Sequence, residues 1–107
     1  MFVLQPNPTF DYPVDISIPG GDAKPITFVF KYRDAESLLA FMESMTADTK
    51  KPRKDIDILM DMIGGWKDVD SEFSKENLAL LIKNYPLAKQ EIFNGYLEAF
   101  YKGKEKN

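Results

Sequence analysis

At 107 residues, 44% hydrophobic and 29% charged, the chain has the size and balance of one globular domain, with roughly 65% of its unfolded surface buried on folding. It contains no cysteine and no histidine, which excludes disulfides and thiolate metal sites and removes the commonest catalytic base and the most reactive nucleophile. A net charge of -3 and a pI near 4.9 argue against a phosphate-binding surface as its main purpose, so no nucleic-acid partner is expected.

Residues 1–10 read as an irregular arm, broken by Pro6 and Pro8. Their apolar start, Met1-Phe2-Val3-Leu4, lacks the basic region of a signal peptide. No later run is long and apolar enough to cross a bilayer, so no membrane partner is expected either. Val14, Ile16 and Ile18 then alternate with Asp15 and Ser17, the period of a half-buried strand. Pro19-Gly20-Gly21-Asp22 is turn chemistry, and Ile26 to Tyr32 alternates again. Together these predict a β-hairpin over 11–33 with one greasy face, which must pack on something because a lone hairpin is marginal in water.

Residues 34–102 read as about four helices. Asp34 caps a helix carrying Leu38, Leu39, Phe41, Met42 and Met45. Thr46 to Pro52 is a polar linker. A second helix spans about Arg53 to Ile63, with Ile56, Leu59, Met60 and Ile63 on one stripe and Gly64-Gly65 as its C-cap. Ser74 is the N-cap of a third helix bearing Leu78, Leu81, Ile82 and Tyr85. Pro86 opens a fourth with Ala88, Ile92, Tyr96, Ala99 and Phe100. Residues 103–107 are a charged tail. The expected fold is therefore α+β, mainly α: an N-terminal β-hairpin packed against a bundle of about four helices, with 11–102 as a single domain.

The candidate chemistry is thin. Counting Asp68 as the first position of a calcium loop puts Phe73 at the sixth and Ala79 at the twelfth, where glycine and a bidentate Glu are needed. The acidic turn is better read as favouring the start of the third helix. Lys50, Lys51, Arg53 and Lys54 form a basic cluster diluted by Asp48, Asp55 and Asp57, better read as a solvated loop. Ser71 and Ser74 have no histidine to activate them. Catalytic, cofactor and metal residues are each expected to be none, and the chain is read as a non-enzyme.

Binding is the more promising reading. In the second helix, Ile58 and Met62 widen the apolar arc to about 200°, against the 100° or more typical of a surface helix. That helix is either sandwiched in the bundle or turned partly toward a partner, and the sandwich is the better account. Phe93, Leu97 and Tyr101 widen the last helix in the same way. Trp66, the only tryptophan, reads first as a plug locking the turn and second as a binding anchor. Ile58, Met62, Trp66, Phe93, Leu97 and Tyr101 are thus the candidate protein-binding residues. Ala88, Gly95 and Ala99 form a narrow ridge suited to close approach of the second or third helix, or of another copy.

Three segments carry a family likeness: Pro8-Thr9-Phe10 leading to Pro13-Val14 and Pro19-Gly20-Gly21; Phe28-Val29-Phe30-Lys31; and Gly65-Trp66 through Val69-Asp70, Phe73-Ser74 and Asn77-Leu78 to Asn84-Tyr85-Pro86. In their order and spacing the chain resembles the tail assembly chaperones of long-tailed bacteriophages and prophages, with Tyr32 where histidine would be expected. The resemblance implies a non-enzymatic protein of the host bacterial cytoplasm, not part of the mature virion. It would bind the tape measure protein, keep it soluble, promote tail-tube polymerisation around it, meet the tail-tube protein as a further partner, and form a homo-oligomer. It also implies a longer form made by ribosomal slippage, for which Lys102-Gly103-Lys104 is the candidate site. The alternative reading is a small nucleic-acid-associated regulator in which the second helix, the glycine turn and the third helix pose as a helix-turn-helix.

Overall fold

Residues 1–46 and 53–102 are described by the computed structural model. Of the expected linker Thr46 to Pro52, Thr46 instead closes the preceding helix, and residues 47–52 and the tail over 103–107, with Lys50, Lys51 and most of the slippage site, lie outside the described residues.

Alternation begins earlier than the two prolines suggest. Strand β1 runs Thr9–Ile16 and turns Tyr12, Val14 and Ile16 inward, with Phe10 half-buried on the same face. The irregular arm is therefore shorter than residues 1–10. Pro13 is tolerated because β1 is an edge strand, where a missing N–H need not break a ladder. Strand β2, Lys24–Lys31, pairs antiparallel with β1 from Thr9↔Lys31 to Ile16↔Lys24, and it buries Ile26, Phe28 and Phe30. The connecting loop turns on Gly20 at φ 76°, a conformation that L side chains rarely adopt.

Helix α1, Ala35–Thr46, starts where expected: the Asp34 carboxylate accepts the Ser37 N–H at 2.8 Å. Helix α2, Asp55–Met62, ends without a left-handed glycine. Ile63 is already extended, and the chain runs straight into a third strand, β3, Ile63–Lys67. This corrects the C-cap reading of Gly64-Gly65. Pairing of Ile63 with Phe30 and of Gly65 with Val29 leaves Gly64 as the extra residue of a bulge. The sheet order is β1-β2-β3. A strand between the second and third helices also removes the helix-turn-helix geometry.

Helix α3, Lys75–Asn84, is capped by Ser74, whose hydroxyl accepts the Asn77 N–H at 3.0 Å. Helix α4, Ala88–Tyr101, begins two residues after Pro86, which sits in the preceding turn rather than in the helix itself. The helices cover the inward face of the sheet, and Phe28, Phe30, Leu59, Met62, Ile63, Leu78, Ile92 and Tyr96 are fully buried between them. Each such side chain stabilises the fold by about 1.5–3 kcal/mol.

Two devices fix how α4 lies. Ser17 donates both its N–H and its hydroxyl to the Glu91 carboxylate, at 3.0 and 2.6 Å, tying the end of β1 to the start of α4. Farther along, the Tyr96 hydroxyl donates to the Lys31 carbonyl at 2.8 Å and accepts from the Arg33 guanidinium at 2.7 Å. That guanidinium also lies 4.2 Å from the centre of the Phe41 ring, so one arginine joins β2, α1 and α4.

Candidate protein-binding surface

The apolar excess of α2 and α4 divides into a buried part and an open part. Met62 is fully buried, so it has no surface to offer a partner, and for this residue the sandwich reading holds. Ile58 and Phe93 are half-buried. The three residues nevertheless meet, lining a cleft of about 240 Å³ with Met45 of α1 and Leu59 and Gln90. Met45 has an unbranched side chain that reshapes easily around a guest. An ion pair between Lys89 and Asp55, at 3.0 Å, stands among the lining residues and links the two helices. It is exposed and contributes little to stability.

Leu97 lies one turn beyond Phe93 on α4 and is half-buried against the core. Tyr101, another turn on, is 70% exposed, with its hydroxyl 3.9 Å from the Met42 sulfur of α1. Phe93, Leu97 and Tyr101 thus make an i, i+4, i+8 stripe that leads out of the cleft along α4.

Trp66 stands elsewhere. Its ring meets Phe73 edge-on at 5.3 Å and Phe28 at 6.4 Å, and its indole N–H donates to the Ser71 carbonyl at 2.8 Å. It pins the turn between β3 and α3 to the sheet, as the plug reading expects. Its half-buried ring also lines a second, larger groove of about 600 Å³, between the hairpin turn, the β3–α3 connection and α3. The same turn holds Asp68 at φ 66°, a left-handed conformation that aspartate tolerates better than most residues.

The small-residue ridge has a different neighbour from those expected. A Cβ at Gly95 would sit 2.7 Å from Cγ2 of Val14, so the close approach is to strand β1, not to another helix or another copy. Ala88 is fully buried and Ala99 half-buried. The correction has a geometric cause: a glycine in the middle of a helix reports that something comes near, but helix wheels carry no information about what.

Sequence reasoning missed Met45, Gln90 and the exposed Leu80, which lines the larger groove. A signal for Leu80 was present, because Leu78-Ala79-Leu80-Leu81-Ile82 is too continuous a run for one buried stripe. Of the basic cluster, Arg53 pairs with Asp61 across α2. Asp57, on the solvent side of that helix, pairs with Lys75 at 3.1 Å. Among the described residues no group of three or more acidic side chains converges as a metal site, and no helix is long and apolar enough to cross a membrane.

No curated protein and no solved structure matches this chain. A family model described as phage tail assembly chaperone matches residues 1–107, the whole chain. The three-stranded sheet, the four helices and the turn that Trp66 pins are therefore how this sequence builds a member of the phage tail assembly chaperone family.

Proposed function

We propose that this chaperone binds the tape measure protein of its phage, keeps it soluble in the host cytoplasm and promotes tail-tube polymerisation around it. It would meet the tail-tube protein during that step, form a homo-oligomer while active, and be absent from the mature virion. The role is binding and not catalysis. The observation that carries the reading is the apolar cleft between α2 and α4, in a chain matched along its whole length by a tail assembly chaperone model. A long helical client offers amphipathic faces, and the stripe Phe93, Leu97, Tyr101 with Ile58 and Met45 is suited to receive one in the helix-in-groove mode.

Co-expression with the tape measure protein tests this. The chaperone should keep the tape measure protein in the soluble fraction and co-purify with it, and Ile58→Asp or Phe93→Asp should abolish both effects while leaving the chaperone folded. A tape measure protein that is equally soluble with the intact chain, with either variant or with none would sink the reading.

A further inference from the structure

The first four residues, Met1 to Leu4, are 120%, 87%, 67% and 90% exposed, a continuous apolar segment with nothing covering it. Residues 1–10 carry no charged side chain, so burying this arm would strip no side-chain charge of water. The larger groove, about 600 Å³ in volume, has an apolar wall of Ile16, Ile18 and Pro25 at the hairpin end and Leu80 and Leu81 of α3, with Lys24, Asp68 and Asp70 also in its lining. An exposed apolar segment and a groove with an apolar wall are complementary surfaces.

Within one chain the arm does not reach the hairpin end of that groove, where Ile16, Ile18 and Pro25 stand. The Pro8 carbonyl accepts the Tyr32 N–H at 2.9 Å, which anchors the arm at the far end of the hairpin from its turn. From Pro8, extended chain carries Leu4 at most about 14 Å and Phe2 about 22 Å. Ile16 lies eight residues along the strand in the other direction, about 26 Å away. We propose that the arm Met1–Leu4 of one copy docks in the groove between the hairpin turn and α3 of a second copy. The contact is head to tail: each chain offers an arm at one end of its sheet and a groove at the other. Such contacts propagate into rings or open chains. This inference concerns copy on copy and stands whether or not the tape measure protein is the client.

The full chain serves for the test, and its lack of cysteine makes engineered thiols unambiguous. Sedimentation of the wild type should show a mass rising with concentration from 12.3 kDa, while the double variant Phe2→Ser/Leu4→Ser needs at least about tenfold more protein to associate. Mixing a Leu4→Cys chain with a Leu80→Cys chain and adding a short bis-maleimide should give a cross-linked heterodimer exceeding what either chain forms alone. A wild type that remains monomeric at every concentration, or a mixture with no excess cross-link, overturns the proposal. A chain carrying both substitutions that links only to itself assigns the groove to its own arm and overturns it as well. Protection of Leu80→Cys only when tape measure protein is added would give the groove to the client, and that too overturns it.

Discussion

Helix α4 meets the rest of the molecule on two sides, and the two are unlike. Toward β1 there is no space for a single methyl group: Gly95 presses against Val14, Ala88 is fully buried, and Ser17 grips Glu91 with two hydrogen bonds. Toward α2, larger side chains leave a cleft, and Phe93 and Ile58 are only half covered. Small residues let a helix lie flat on a sheet, and bulky residues hold two helices apart unless their ridges interlock. One helix thereby serves as wall of the core on one side and as rim of an open apolar surface on the other.

The largest expected effect separates the two kinds of apolar residue within α2. Met62→Asp would place an unpaired charge where no solvent reaches, costing more than about 4 kcal/mol and abolishing cooperative thermal unfolding. If Met62→Asp and Ile58→Asp proved equally harmful in melting curves, the division into core and open cleft would be wrong.

Next comes the packed side. Gly95→Ala gains about 1 kcal/mol of helix propensity but forces a methyl into Val14, for a net loss of about 1–3 kcal/mol by chemical denaturation. Val14→Ala in the same chain should recover part of that loss, a coupling that two independent sites would not show.

Ser74→Ala touches neither side of α4 and serves as the baseline. Losing the cap of α3 should cost about 1 kcal/mol and leave the cleft between α2 and α4 intact. Ile58→Asp should cost no more than about 1 kcal/mol of stability, because the residue is half-buried, yet remove client binding in the co-purification assay.

The smallest effect is a pH dependence on the packed side. Burial pushes the Tyr96 phenol above its ordinary value of 10.0, with Arg33 pulling it part of the way back. A raised value in the folded state means a stabilising contribution that is complete below the unfolded value and is lost as pH rises through the folded one. Above pH 10 the melting temperature of the wild type should therefore fall more steeply than that of Tyr96→Phe. Parallel curves would show that the core does not resist the phenolate.

Local chemistry was legible. Asp34 and Ser74 each cap the helix expected of them, because a cap is made within three residues and needs nothing from the rest of the fold. The hairpin followed from alternation, although two prolines hid its first residues. The candidate surface was half legible: excess apolar width marked α2 and α4, but a helical wheel does not distinguish Met62 from Ile58.

Alternation, spacing and cap chemistry were enough for the α+β class, the hairpin, four helices with two of their starts, and a family likeness spread along the chain. It took the assembled fold to show that Ile63 to Lys67 joins the sheet, that β1 is the neighbour of Gly95, and that Met62 is core while Ile58 and Phe93 edge a cleft. The reason is the range of the interactions. Capping and alternation are set by neighbours a few residues apart, whereas β3 exists through its partner β2 more than thirty positions earlier, as Phe28↔Trp66 illustrates. Burial likewise depends on which elements happen to close over a face, and that is a property of the assembled chain.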